Sequence, residues 1–142
     1  MSKELLFQLS NTLSLLTWLV LLIAPYRKWT GRIVIGGAVT LLCALYACLV
    51  LDFLGGFDPG SFGSLAGVME LFTSPRAVLA GWVHYLAFDL MVGWFIVTNA
   101  ARHELNRYLL IPCLLLTFIF GPMGLLLYLL VRAVALRKHF VD

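Results

Sequence analysis

Charge is what this chain has least of. Seven acidic and ten basic side chains occur among 142 residues, 12% of the total, against 62% apolar residues and a mean hydropathy of +0.98. A surface with so few charges does not keep a globular domain in water, so a soluble protein is excluded. The basic residues sit at the ends of apolar runs and form no patch, which excludes a nucleic-acid footprint and makes them interfacial anchors. Cysteine is limited to Cys43, Cys48 and Cys113, all within apolar runs and without CxxC or Cys/His spacing. Neither a disulfide framework nor a zinc site is expected, and the thiols read as small apolar packing groups. Three histidines are too few for a di-iron desaturase centre. HExxH, GxSxG and phosphate-cradling glycine motifs are absent. No metal and no cofactor is expected, and no repeat of fixed period stands out.

What is present is a series of apolar runs of about twenty residues, each long enough to cross a hydrocarbon core about 30 Å thick as a helix. They predict an all-α integral membrane four-helix bundle forming a single domain over 1–142, with spans near 5–24, 32–54, 75–99 and 108–134. The first run is longer than the apolar part of a cleaved signal and lacks a small-x-small cleavage site, so it reads as a retained span. Pro25 ends it, and Tyr26-Arg27-Lys28-Trp29 suit the headgroup layer. Gly36, Gly37, Ala38, Ala44 and Ala47 give span two small surfaces for close helix packing. Asp52 and Asp58 read as carboxylates in water, and Gly55–Gly60 as a helix-breaking turn. A short interfacial or re-entrant helix is predicted near 64–73, capped by Ser64, with Leu65, Val68, Met69 and Phe72 on one side and Glu70 as its only charge. Ser74 and Pro75 open span three. In span four, Pro112 and Gly121-Pro122-Met123-Gly124 predict a kink. Four spans place both termini on one side, and the basic residues then tie. Arg27, Lys28, Arg32, Arg102 and Arg107 stand against Lys3, Arg76, Arg132, Arg137 and Lys138. The compact cluster after span one favours a cytoplasmic first loop with both termini outside.

Span three carries the polar groups that need explaining. A carboxylate at bilayer depth costs about 3 kcal/mol or more unless it is protonated, paired or wetted, and Asp89 falls near the middle of the span. His84 precedes it by five residues, about 140° around a helix, so the two do not form an intrahelical pair, which needs a spacing of three or four. Trp82, Tyr85 and Asp89 share one stripe, while His84, Phe88, Met91 and Phe95 share another. The two polar groups therefore either look to different neighbours or converge on a cavity between helices. With Glu70, they are the candidate acid–base residues, acting on a lipid-soluble substrate. Asn11, an amide within span one, wants a partner on a neighbouring helix, and with Trp82, Tyr85 and Phe88 makes up the candidate ligand-binding set. The competing readings are a polar network that only fixes helix packing, as in a non-catalytic membrane subunit or pigment-binding accessory protein, and, with thinner support, a small transporter.

The segments Ser64-Leu65-Ala66-Gly67-Val68-Met69-Glu70-Leu71-Phe72, Gly81-Trp82-Val83-His84-Tyr85-Leu86-Ala87-Phe88-Asp89-Leu90 and Pro112-Cys113-Leu114-Leu115-Leu116-Thr117, with Gly121-Pro122-Met123-Gly124, resemble the abscisic-acid-deficient-four-like membrane proteins. Plant members of that family are associated with neoxanthin synthesis. The resemblance covers nearly the whole chain and rests on a W-x-H-x(4)-D pattern followed by G-P-x-G. It implies a small four-helix membrane protein that binds a carotenoid or related polyisoprenoid and acts on it, or supports action on it, as a non-redox isomerase; the plant reaction opens an epoxide, which calls for an acid at oxygen and a base at the neighbouring polyene carbon. His84 and Asp89 match the W-x-H-x(4)-D positions, and Glu70 lies in the matching segment before them. The plant pattern carries an arginine a few residues after the aspartate, where this chain has Gly93-Trp94-Phe95. Membrane lipid and a lipid-soluble small molecule are the expected partners, self-association is left open, and the compact ends suit a bacterial inner-membrane member.

Overall fold

The computed structural model describes residues 2–52 and 59–136; the 55–58 part of the expected turn, Asp58, and Arg137 and Lys138 lie outside the described residues. Helix α1 spans Lys3–Ile23, its first turn capped by Ser2 Oγ accepting from the Leu5 N–H. Thr30 Oγ1 donates to the Ala24 carbonyl at 2.5 Å and closes the turn behind α1. Helix α2 covers Arg32–Leu51. Its first eight residues, Arg32–Val39, are wound as a π-helix, and the widened turn lets Thr40 Oγ1 reach the Ile35 carbonyl at 2.8 Å, five residues back. A 3₁₀ turn, Pro59–Gly63, leads to α3, Leu65–Leu71, where Ser64 Oγ accepts from Gly67 N–H at 3.1 Å. Helix α4, Pro75–Arg102, starts on Pro75 at its first position; Ser74 stands at the cap with extended backbone but makes no side-chain capping bond.

Helices α1, α2 and α4 are long and apolar enough to cross a membrane, which identifies a membrane protein. Helices α1 and α4 run parallel. Trp82 Nε1 donates to Asn11 Oδ1 at 2.8 Å near their starts, and further along the Trp18 ring fills the space over Gly93, where a Cβ would stand 2.7 Å from it. Helix α2 runs antiparallel to α4, since late Tyr46 meets early His84 while early Gly31 takes the ring of late Trp94. The core between them is built from Leu21, Val34, Leu42, Val83, Leu90 and Ile96. On the side where α1 and α4 begin, Arg76 and Asp52 pair at 3.2 Å, an exposed bridge worth little in stability.

The expected fourth span is not a single helix. It is two, α5 (Arg107–Phe120) and α6 (Pro122–Leu136), of 14 and 15 residues. Each is about 21–22 Å long, too short to cross a 30 Å core. They fold back on one another as a hairpin about Gly121, whose φ is +49°. Gly124 sits against Thr117 and the Cys113 carbonyl with no room for a Cβ. Leu109, at the start of α5, and Val131 and Val134, late in α6, line one surface recess. The end of α6 returns to the end of α4, where Tyr128 donates to Asn99 Oδ1 at 2.6 Å and Arg132 Nη2 lies 3.3 Å from His103 Nε2. A proline kink was the expectation. Gly121 produces a reversal instead, because its positive φ turns the chain at a point where Pro122 cannot continue the α5 hydrogen-bond ladder.

The hairpin corrects the orientation argument. Arg132 now lies with Arg27, Lys28, Arg32, Arg102 and Arg107, leaving only Lys3 and Arg76 opposite among the described residues. The tie becomes six against two, and by the positive-inside rule the basic side is the one expected in the cytoplasm. In a cysteine-free background, Ser2→Cys and Thr73→Cys are expected to react with membrane-impermeant maleimide from outside, and Lys28→Cys, Asn106→Cys and Ala135→Cys only after permeabilisation. Labelling of Ser2→Cys and Ala135→Cys from the same side would contradict this topology.

Candidate functional site

Helix α4 presents its two polar stripes to different neighbours. One stripe faces α1. Trp82 is held by Asn11, stacks obliquely with Tyr85 at 5.4 Å between ring centroids, and meets Phe7 at 5.7 Å. The Tyr85 phenol, one turn before Asp89, interacts with its carboxyl group. Asp89 is 7% exposed, and a Cβ placed on Gly121 would stand 2.7 Å from its Oδ1. The carboxyl therefore rests on the tip of the hairpin, at the N-terminus of α6, where Pro122 has no N–H and the Gly124 and Leu125 amides donate to the Gly121 carbonyl. Asp89 Oδ2 is buried without a hydrogen-bond partner among the described residues, as is Ser14 Oγ on α1.

The other stripe, His84, Phe88, Met91 and Phe95, is exposed along its length, and it is the His84 end that meets α2 and the short helix. His84 stacks on Phe88 with centroids 4.5 Å apart and planes 23° from parallel, and its ring lies 5.4 Å from that of Tyr46. Here a recess of about 260 Å³ is lined by Tyr46, Phe62, Leu71, Phe72, Gly81 and His84, with apolar neighbours. Gly81 is required by this arrangement: a Cβ there would meet Phe72 Cε1 at 2.8 Å, so only glycine lets the Phe72 ring lie against α4. The end of α3 thereby contributes Leu71 and the following Phe72 to the lining of the recess. His84 lies about 7 Å from the midpoint of α4 along its axis, still within hydrocarbon depth.

The structure thus does not bring His84, Asp89 and Glu70 together. His84 lines the recess, Asp89 is enclosed at the hairpin tip, and Glu70 is exposed on α3, outside the residues that line the recess. Asn11 serves Trp82 rather than Asp89. Phe88 is 52% exposed and forms a wall for the imidazole. Tyr46 and Phe62 also line the recess and were not singled out from the sequence, and Phe72 was marked there only as part of the apolar side of the short helix. Tyr46 was detectable as the one tyrosine in an otherwise aliphatic run, while the Phe72 contribution depends on how α3 folds back. No group of three or more His, Cys, Asp or Glu side chains suited to a metal occurs among the described residues.

The contact between Gly121 and Asp89 makes a direct prediction. Gly121→Ala forces a Cβ onto the carboxyl at a backbone conformation that costs a non-glycine residue about 1–3 kcal/mol. A clear fall in thermal stability in detergent is expected, while Asp89→Asn, which keeps the shape, should cost less than Asp89→Leu. An unaltered melting temperature for Gly121→Ala would contradict the packing described.

Neither a curated protein nor a solved structure matches the chain. The family model described as ABA DEFICIENT 4-like matches residues 5–128, and so includes the recess, the Asp89 contact and the hairpin tip. By that match over most of its length, the chain belongs to the ABA DEFICIENT 4-like family.

Proposed function

We propose that the protein binds one end of a carotenoid or related polyisoprenoid in the recess at His84 and rearranges it without net redox change. The observation that supports this reading is a recess of about 260 Å³ at hydrocarbon depth, walled by aromatic side chains and containing one imidazole. Its volume is below the ~300 Å³ of pockets that enclose a whole drug-sized molecule, so it suits a terminal ring while the polyene lies along the lipid-facing surface of α4. Family membership supports the same substrate class. The aromatic rings of Tyr46, Phe62 and Phe72 offer dispersion contact to a conjugated ring, and Phe88 fixes the orientation of the imidazole.

In this reading the reaction is an epoxide opening that moves two protons. His84 takes one from the carbon next to the epoxide, and the Tyr46 phenol, whose ring lies 5.4 Å from the imidazole, delivers one to the epoxide oxygen. The electron pair left on carbon forms the new carbon–carbon π-bond as the carbon–oxygen bond breaks, so atoms and electrons balance. Asp89 acts as a positioning residue. It holds the hairpin tip and so the packing of α4, and does not touch substrate.

Expression in a host that makes epoxy-carotenoids, followed by extraction of pigments and of the purified protein, tests this. The wild type is expected to carry a polyene and to yield a rearranged product, and His84→Ala to lower product by about 100-fold or more, the usual contribution of acid–base catalysis. A carotenoid profile identical in host, wild type and His84→Ala, with no polyene co-purifying, would overturn the proposal. Polyene retained in both with no product from either would favour a pigment-binding accessory role.

A further inference from the structure

The basic side of the molecule carries a second recess, separate from the one at His84. It is about 330 Å³ and is lined by Ile23, Ala24, Pro25, Tyr26, Arg27 and Arg107. Pro25 breaks α1 and turns Tyr26 and Arg27 around the helix end. Arg107, the first residue of α5, crosses to the same place and donates through Nη2 to the carbonyls of Leu22 at 3.2 Å and Ile23 at 3.1 Å. Those are last-turn carbonyls of α1, which lack partners within the helix and carry the negative end of its dipole. Arg107 is therefore a fixed guanidinium rather than a freely waving one. No hydrogen bond occupies its Nη1 and Nε donors among the described residues. Burial raises the Tyr26 phenol above its ordinary value, with Arg107 opposing, so at neutral pH the phenol is protonated and able to donate.

Surrounding charge favours an anion. Lys28, Arg32, Arg102 and Arg132 lie on the same side, and Glu104 is the one acidic side chain there among the described residues. Ile23, 71% exposed, lies at the lipid-facing edge of the recess, so a molecule with its charged group on the arginines can lay an apolar tail along α1.

We propose that this recess binds the phosphodiester headgroup of an anionic phospholipid of the cytoplasmic leaflet, between Arg27 and Arg107, with Tyr26 as a hydroxyl donor. Paired guanidinium groups suit a phosphate because each presents planar N–H donors to its oxygens. The proposal does not depend on what the His84 recess binds.

Native mass spectrometry of the detergent-purified full chain, titrated separately with phosphatidylglycerol, phosphatidylcholine and inorganic phosphate, tests it. Phosphatidylglycerol is expected to be retained in preference to the other two. Arg27→Gln should weaken its binding about fivefold, the factor that corresponds to about 1 kcal/mol per basic residue at a membrane surface. Lys28→Gln, next in sequence but outside the recess, should change it less than twofold. Equal retention of phosphatidylcholine, equal binding of inorganic phosphate, or equal weakening by Arg27→Gln and Lys28→Gln would each overturn the proposal; the last would indicate a diffuse field rather than a site.

Discussion

Backbone polar groups in a bilayer have no water to turn to, so a helix that breaks at membrane depth must bury its break in protein. That constraint organises this molecule. The break at Gly121 leaves the end of α5 and the start of α6 facing inward, and Asp89 on α4 meets it there. A carboxyl group at that depth and a broken helix are each costly alone. Packed together, each is shielded from lipid: Pro122 has no N–H to satisfy, the Gly124 and Leu125 amides donate to the Gly121 carbonyl, and the Asp89 carboxyl lies against Gly121 beside the Tyr85 phenol. The same contact explains why Gly121 has no side chain, and it fixes the hairpin against the three long helices.

Asp89 is committed to the interior, and the proposed chemistry falls to His84. His84, itself exposed, lies at an open recess beside α2 and the short helix, with Phe88 stacked on it and Tyr46 beside it. The division follows from five-residue spacing: about 140° of rotation sends one group to the α1 and hairpin side and the other to the α2 side. Phe72 reaches the recess only because Gly81 leaves α4 bare beneath it. In the proposed function, substrate recognition and structural support fall on different sides of one helix.

The parts legible in the sequence were those governed by local rules. Apolar runs marked α1, α2 and α4, Ser64 marked the start of α3, and rotation per residue separated His84 from Asp89. The reversal at Gly121 was not legible. Gly-Pro reads equally as a kink within a long span, and it is tertiary contact, the lack of room at Gly124 and the return of Tyr128 to Asn99 and of Arg132 to His103, that distinguishes a hairpin from a bend. That single difference carried the basic-residue count with it, because Arg132 changes sides. Asn11 was recognisable as an amide needing a partner on another helix, but its partner, Trp82, depends on the parallel register of α1 and α4. Glu70 was singled out because charge is rare in the chain, although rarity alone does not place a side chain in a recess. Tyr46 and Phe72 belong to the site through tertiary packing, which no spacing within one helix encodes.

The hairpin underlies both the placement of Asp89 and the orientation of the chain, so its geometry is the point to measure. Spin labels at Leu109→Cys and Val134→Cys, in a background without the native cysteines, report the distance between the start of α5 and the end of α6 by pulsed electron resonance in liposomes. The account expects a short separation, under about 20 Å, since both residues line one recess and two packed helices lie 8–10 Å apart. A separation of roughly 37 Å, as a continuous helix rising 1.5 Å per residue would give, would contradict it.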